Sequence, residues 1–257
     1  MPFSLSSIIA SATLFGAALA APSEIVQRSA LSSRAGFDCS RLAPGLSKPD
    51  CEHMSKIGMA GQGFNPQAPN GQIWIGNQGP NKFVFTNNAA GPITVIVWNQ
   101  PPGDFQSSFM NARRSQVSYS LAKPGQSVTV SIANGVSGGF AHLISQKTTL
   151  SQNGQVFNTW GEFTTGGTDA TVDVSREVNM SGNAMSIKTP TCLSDMNTCV
   201  FTCKSGNTCG LLDSYNLLNC APGSQVGANF GLNPKNQPEG GCRGFPNGGT
   251  IQVSLGK

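Results

Sequence analysis

Residues 82–98, KFVFTNNAAGPITVIVW, decide the fold class of this chain. Two runs rich in β-branched and aromatic residues flank a turn that contains Asn, Gly and Pro, which is the pattern of two strands joined by a short connection. No long stretch with helical periodicity interrupts this pattern along the chain. The sequence therefore predicts an all-β sandwich or barrel, with strands at 72–75, 82–86, 93–98, 127–132, 141–144, 159–164, 170–175, 184–188 and 250–255.

Two short helices are compatible with the remaining segments. The first is predicted over 48–59, because Pro49 suits a first helical turn and Gly58 suits a stop. The second is predicted over 210–218.

The N-terminal segment has the features of a secretory signal. Residues 1–20 carry no charged side chain and end on Ala18-Leu19-Ala20, which predicts cleavage after Ala20. Residues 21–34 are Ser- and Ala-rich and end at Arg34, so they are either a propeptide or an unprocessed terminus. The remainder, 35–257, is expected to be one secreted β domain with no membrane contact after signal removal.

The charge pattern excludes one class of partner. Only 11% of residues are charged and the net charge is +4, with no concentrated basic stripe that would neutralise phosphates. No nucleic-acid partner is therefore expected, and the uncharged polar surface is typical of an extracellular protein.

The eight cysteines predict four disulfides in an oxidising compartment. Cys39 and Cys51 are the simplest pair, and the six others allow fifteen pairings. Their positions predict a self-supporting core at 71–188 and a disulfide-rich, loop-rich region at 189–242. A zinc site would need tighter cysteine pairs and a nearby histidine, so no metal and no cofactor are expected. The six C-terminal cysteines are Cys192, Cys199, Cys203, Cys209, Cys220 and Cys242.

The two histidines do not favour a Ser-His-Asp site. His142 lies within a predicted strand and is interpreted as structural, and His53 is interpreted as a solvated loop residue. Asn179-Met180-Ser181 is a glycosylation sequon, which predicts an exposed turn with a glycan on Asn179.

Carboxyl groups are the remaining candidates for chemistry. Glycoside hydrolysis needs two carboxyls across a cleft, and Glu162, Asp169, Asp173 and Glu177 lie within sixteen residues. If 159–164 pairs with 170–175, the alternation of side chains places Glu162 and Asp173 on one face. The alternative is that these acids are ordinary solvated or turn residues.

Three phrases in this region resemble the thaumatin-like proteins: PGQSVTV at 124–130, WGEFT at 160–164 and TVDVS at 171–175. The resemblance implies a thaumatin-like β-sandwich beside a disulfide-rich loop region, and an acidic cleft in which Glu162 and Asp173 are catalytic. Glu177 stands near the next acidic position, where VDGFN is usual, and is implied only as a displaced substrate-binding residue. Secreted fungal members of this type are often host-interacting effectors or cell-wall proteins.

Three functions follow as hypotheses. The first is a non-catalytic secreted protein that binds an extracellular polysaccharide or a host target. The second is a weak endo-β-1,3-glucanase with Glu162 as proton donor and Asp173 as the opposing carboxylate. The third is a protein-binding effector that uses Trp74, Trp98 or Phe-rich loops as its contact.

Overall fold

The computed structural model describes residues 36–256. The predicted signal, 1–20, and the predicted propeptide, 21–34, lie outside these residues. The described part contains one α-helix, α1 (Lys48–Lys56), a 3-10 helix (Phe105–Ser108) and fifteen strands. The strands are β1 (Ile73–Ile75), β2 (Asn81–Asn87), β3 (Ile93–Asn99), β4 (Val117–Leu121), β5 (Ser127–Ile132), β6 (Ser137–Ile144), β7 (Trp160–Thr164), β8 (Thr171–Ser175), β9 (Met185–Lys188), β10 (Leu193–Ser194), β11 (Val200–Cys203), β12 (Tyr215–Leu218), β13 (Ala228–Leu232), β14 (Pro238–Cys242) and β15 (Gly249–Leu255).

The strands form two sheets, which confirms the predicted all-β class. The smaller sheet has the order β1-β5-β2-β15-β9-β10, and the larger has the order β12-β11-β8-β7-β6-β3-β4. Strand β14 also pairs with β8 in the larger sheet, and β13 pairs with β14. All of these pairs are antiparallel except β15 with β2 and β11 with β8.

The main core lies between the two sheets and is built around aromatic rings. Phe83 and Phe85 project from the smaller sheet against Phe140 and Phe163 of the larger one, with ring centroids 4.9–5.9 Å apart. All four rings are buried. These apolar positions alternate with more exposed ones along β2, as expected for a strand with one buried face. The strand predicted at 82–86 is therefore confirmed.

The C-terminal strand completes the smaller sheet. Strand β15 lies between β2 and β9, and Val253 is opposite both Phe85 and Ile187. The sandwich core therefore extends beyond the predicted range of 71–188, because this last strand is one of its central members.

The first predicted helix is present and the second is not. Ser47 caps α1 by accepting a hydrogen bond from the Asp50 backbone N–H at 3.3 Å. The predicted helix at 210–218 is wrong, because Asp213 has φ +62° and β12 follows it, with Leu217 opposite Phe201 of β11.

Four disulfides join the eight cysteines in pairs. Cys39 pairs with Cys51, as predicted, and the others pair as Cys192–Cys242, Cys199–Cys220 and Cys203–Cys209. The structure thus selects one of the fifteen arrangements left open by the sequence.

Both histidines are buried. His142 is inaccessible in β6, which agrees with a structural role. The prediction for His53 is wrong: this residue lies in α1, and its Nε2 is 2.7 Å from the Thr148 carbonyl oxygen. Across 36–256, no helix combines the length and the apolar character that a membrane crossing requires.

Candidate functional site

A row of four residues crosses the middle of the larger sheet. Trp98 of β3 is opposite Gly139 of β6, Gly139 is opposite Glu162 of β7, and Glu162 is opposite Asp173 of β8. Directly opposite residues project from the same face of a sheet. The two predicted carboxyls are therefore side by side on neighbouring strands.

This row faces away from the core between the sheets. The alternate residues Val97, Phe140 and Val172 belong to that main core, whereas Trp98 and Trp160 belong to a second cluster that includes Met54 of α1. The outer face of the larger sheet is thus covered by this second cluster on one side. The cysteine-rich segments line it on the other side.

A cleft of about 750 Å³ opens over the row. This volume is within the range of small-molecule and oligomer sites. One wall is formed by β3, the 3-10 helix and β6, and the other by segments between β8 and β14. The residues that line the cleft include Trp98, Gln100, Ser108, Gly139, Gln155, Trp160, Glu162, Thr164, Asp169, Thr171, Asp173, Glu177, Gly210, Tyr215, Pro238, Glu239 and Gly240.

Glu177 joins Glu162 and Asp173 in this cleft. It follows β8, where the Arg176 backbone N–H donates to the Phe201 carbonyl at 2.9 Å. The Cys209 backbone N–H donates to the Glu177 carbonyl at 2.8 Å, and Cys209 is bonded to Cys203 at the end of β11. The disulfide loop therefore holds the third carboxyl near the other two.

The environment opposes ionisation of all three carboxyls. Burial raises the pKa of Glu162 to about 7. Burial and, to a smaller extent, the Glu162 charge raise the pKa of Glu177 to about 8. Burial also raises the pKa of Asp173 well above its usual value, with further contributions from the other two acids.

None of the three acids forms an ion pair in the described residues, although Arg243 also lines the cleft. The ion pairs in the described residues are Lys48–Glu52 and Arg113–Asp104, and neither involves these three acids. Asp173 is 6% exposed and its Oδ1 has no hydrogen-bond partner. Buried carboxyls without partners destabilise a fold. Such a cluster in a cleft indicates a functional site.

Gly139 makes room for the Trp98 ring beside Glu162. The indole of Trp98 lies over this glycine, and a Cβ at position 139 would be 2.6 Å from the Trp98 ring. The Trp98 ring in turn meets Trp160 edge to face, with centroids 4.8 Å apart. Gly139 was not predicted as a site residue, because a lone glycine in a strand does not reveal what lies above it.

Tyr215 is a second site residue that sequence reasoning missed. It lines the cleft at the start of β12, and burial together with the charges of Glu177 and Glu162 raises the pKa of its hydroxyl. Because the sequence predicts a helix over 210–218, it does not predict that Tyr215 lies on a strand beside the acids. The pairing of β12 with β11 is the contact that places it here.

Neutral polar side chains surround the acids. Gln100, Ser137, Gln155, Thr164 and Thr171 line the cleft and supply hydroxyl and amide groups. Such groups both donate and accept hydrogen bonds. The cleft is therefore suited to an uncharged ligand rich in hydroxyl groups.

Two surface predictions are not supported by the structure. The expectation that Asn179 lies in an exposed turn is wrong: its side chain is 8% exposed, its Nδ2 donates to the Phe157 carbonyl and its Oδ1 accepts from Asn207. Trp74 and Trp98, proposed as protein contacts, are each 3% exposed. Neither tryptophan forms an accessible contact surface.

The comparisons with known proteins identify the family. The Allergen Asp f 4-like domain matches residues 77–216, a segment that contains Glu162, Asp173, Glu177 and Tyr215. The chain belongs to this Asp f 4-like family. Its matched segment ends before Cys220, β13 and β14, so one wall of the cleft is completed by residues outside the match.

The comparison with solved structures gives only a weak similarity. The crystal structure of the protein elicitor MoHrip2 from Magnaporthe oryzae is matched over 69% of this chain and 99% of that chain, with 10% identity and a TM-score of 0.29. A similarity this low supports no conclusion about function. Among curated proteins, no sequence is significantly similar. None of these findings names a thaumatin-like protein.

Proposed function

We propose that this Asp f 4-like protein is secreted and binds a neutral extracellular polysaccharide in the acidic cleft. One observation carries the proposal: three carboxyls without a paired cation converge in an open cleft whose other polar side chains are mostly neutral. The four disulfides support an extracellular location, since such bonds form and persist in oxidising compartments.

The acids act here mainly as hydrogen-bonding groups. Their raised pKa values favour protonated carboxyls in mildly acidic surroundings. A protonated carboxyl donates one hydrogen bond and accepts others, which matches the donors and acceptors of a sugar hydroxyl. Affinity is therefore expected to decrease as the pH rises from 5 to above 8, because ionised carboxylates are costly to dehydrate.

Other ligand classes fit less well. Anionic ligands, nucleic acid included, would be repelled once any of the acids ionises. A preformed metal site is also disfavoured: in residues 36–256, the set of three ligand atoms that meets within 4.8 Å consists of Cys192, Cys199 and Cys242, all of which are in disulfides.

Retention on insoluble β-1,3-glucan, chitin and cellulose at pH 5 tests the proposal. Wild-type protein should be retained on at least one of them at pH 5 and less strongly at pH 8, and Glu162→Gln combined with Asp173→Asn should reduce this pH dependence because neither amide ionises. Glu52→Gln, at an exposed position of α1 that does not line the cleft, is the matched control. Absence of wild-type retention on all three polymers would refute polysaccharide binding and would favour a host protein as ligand.

Weak endo-β-1,3-glucan hydrolysis is a second candidate, favoured by the pairing of Glu162 with Asp173. Glu162 would give its proton to the glycosidic oxygen as the C–O bond breaks. The opposing carboxylate would take a proton from the water that attacks the anomeric carbon, or bond that carbon before water releases it. Hydrolysis ranks second because it needs an ionised Asp173, whereas burial favours its neutral form.

Release of reducing sugars from soluble β-1,3-glucan tests the second candidate. Glu162→Gln should abolish the release while Glu52→Gln leaves it unchanged. Equal release by wild type and Glu162→Gln would eliminate Glu162 as the proton donor.

A further inference from the structure

Three edges of the two sheets are closed by hydrogen bonds from neighbouring segments. The Asn65 side chain accepts from the Ser118 backbone N–H of β4 and donates to its carbonyl, at 2.8 and 2.7 Å. The Gln225 side chain bonds Leu193 of β10 in the same way, at 2.7 and 2.8 Å. The outer side of β1 is bonded by residues 66–70. Such closure prevents an edge strand from pairing with another chain.

Strand β13 is bonded on one side only, by β14. At the turn of this hairpin the Asn233 backbone N–H donates to the Gln237 carbonyl at 2.9 Å. Ladder bonds alternate along an antiparallel pair, so Gly231 turns its N–H and C=O to β14, whereas Phe230 and Leu232 turn theirs outward. Among the described residues, no hydrogen bond reaches these outward groups. The outer edge of β13 is therefore free to pair.

The side chains on this edge are apolar and uncovered. Phe230 and Leu232 are two residues apart in β13, so they project from the same face. Phe230 is 41% exposed and Leu232 is 53% exposed. Phe230 lies opposite Gly240, which has no side chain to cover the ring, and Leu232 lies opposite Pro238. The strand contains no charged residue that would oppose pairing with a further strand.

Further exposed apolar side chains flank β13. Val226, just before the strand, is 88% exposed, and Leu211 and Leu212 are 79% and 63% exposed. The loop that carries the two leucines is held at the hairpin turn, because the Gln237 side chain accepts from the Asp213 backbone N–H at 2.6 Å. Together with the two apolar side chains of β13, these residues expose on the order of 500 Å² of apolar surface. An exposed apolar area of this size indicates an interaction site.

We propose that the outer edge of β13 binds a second copy of this chain, with the two β13 strands antiparallel about a two-fold axis at Gly231. In this register Phe230 lies directly opposite Leu232 of the second copy and exchanges both backbone hydrogen bonds with it. The two-fold axis repeats this pair, so the free N–H and C=O groups of both residues are all bonded. The four apolar side chains form one cross-strand cluster, and Gly231 lies opposite itself with no side chain to interfere.

A second copy fits this edge for two reasons. An identical strand offers the same donors, acceptors and apolar side chains at the same spacing, and two-fold dimers are the commonest assemblies. The register also brings Val226 of the second copy to the turn at 233–237, beside the loop that carries Leu211 and Leu212. The apolar area alone approaches the roughly 800 Å² per partner that a standard interface buries. Since β14 lines the cleft, the dimer holds two clefts in one particle, whatever ligand they bind.

Sedimentation equilibrium of the secreted protein between about 1 and 500 µM tests the proposal. A reversible monomer–dimer equilibrium is expected, with a Kd of about 10 to 100 µM because the interface is at the small end of the stable range. A chain that stays monomeric throughout would overturn the proposal. Open-ended oligomers would also overturn it, because pairing about a two-fold axis closes at the dimer.

Two substitutions of Leu232 test the strand itself. Leu232→Lys places a charge on the shared edge and should weaken dimerisation by at least about tenfold. Leu232→Pro removes an N–H that no bond within the protomer uses, and its ring follows Gly231, which has no Cβ to clash with it, so dimerisation should weaken while the fold remains. Leu42→Lys is the matched control, since Leu42 is 41% exposed and lies outside the hairpin.

Circular dichroism and thermal melting of each variant verify that a lost dimer is not a lost fold. If both Leu232 variants are folded and dimerise as tightly as Leu42→Lys, the proposal is wrong. Hydrogen exchange of the wild type provides a measurement without any substitution: the amides of Phe230 and Leu232 should exchange more slowly at dimer-forming concentrations than in the dilute monomer. Equal exchange at both concentrations would also overturn the proposal.

Gly231→Cys tests the register. A Cβ at this position would be 3.6 Å from its nearest neighbour, a Glu239 carboxylate oxygen, so the side chain fits the protomer. Two such residues opposite each other have Cα atoms about 4.5 Å apart, which a disulfide can bridge. Oxidised glutathione should therefore produce a covalent dimer of this variant and not of Leu42→Cys. A sample that sediments as a dimer but gives no covalent dimer would place the contact elsewhere and refute the proposed pairing.

Discussion

Replacement of Glu162 by glutamine should stabilise the protein at neutral and alkaline pH. The substitution preserves the size and hydrogen-bonding capacity of the side chain and removes its ionisation. A rise in pKa from 4.5 to about 7 corresponds to about 3 kcal/mol of unfavourable free energy for the ionised form in the folded protein. Water in the cleft and proton sharing with Asp173 and Glu177 reduce this value, so we expect about 1 to 3 kcal/mol of stabilisation.

The stabilisation that Glu162→Gln produces should increase as the pH rises. The folded protein retains the Glu162 proton at pH values where the unfolded chain has lost it, so wild-type stability decreases as the pH rises from about 4.5 through about 7. Glu162→Gln removes this decrease. The variant and the wild type should therefore be equally stable at pH 4 and differ most at pH 8.

Thermal and urea unfolding at pH 4, 6 and 8 measure the effect. For a chain of this size we expect the melting temperature at pH 8 to rise by about 3 to 10 °C, with the surface substitution Glu52→Gln as the nearly unaffected control. A loss of stability that is equal at pH 4 and pH 8 would refute the reasoning, because it would mean that Glu162 contributes packing or hydrogen bonds rather than an opposed charge.

Three further predictions concern the surroundings of the site. Gly139→Ala should lower the free energy of unfolding by about 1 to 3 kcal/mol, because the added methyl group forces the Trp98 ring aside. It should also reduce glucan retention. Unchanged unfolding and retention would contradict this prediction. The double substitution Cys203→Ser with Cys209→Ser should leave the sheets intact, as measured by circular dichroism. It should weaken glucan binding, because it frees the loop that holds Glu177 near the other two acids. Full binding by this variant would contradict the prediction. Burial lowers the pKa of the unpartnered His142 imidazole to about 4, so the wild-type protein should lose stability as the pH falls from 6.5 to 4. His142→Leu should reduce this loss by up to about 3 kcal/mol. Parallel urea-unfolding profiles of the two proteins across this pH range would contradict the prediction.

The sequence predicted the central strands because their burial alternates or is continuous. In β2 each inward residue is a phenylalanine or asparagine, and in β3 all but the last residue are buried, so local pattern and tertiary packing agree. The same alternation predicted that Glu162 and Asp173 would share a face. These are the parts of the molecule in which residue type and environment coincide.

The cysteine-rich part was less predictable for a physical reason. Strand β14 reads PEGGC and β13 reads ANFGL, and these are compositions that favour turns over strands. They are held in a sheet by Cys192–Cys242 and by their pairing with each other and with β8, which are long-range constraints that no local pattern reports. Tyr215 was missed for the same reason.

The two walls of the cleft therefore depend on different interactions. The wall near β3 is fixed by packing, through the contact of Trp98 with Trp160 and the cluster around α1. The wall near β14 has little apolar support: several large apolar side chains there, Leu211, Leu212, Val226 and Leu232 among them, are exposed, and disulfides provide the constraint. Glu177 belongs to the second wall, whereas Glu162 and Asp173 project from the sheet itself. A reducing agent should accordingly separate the third carboxyl from the other two before it disturbs the sandwich, so ligand binding should be lost at lower reductant concentrations than secondary structure.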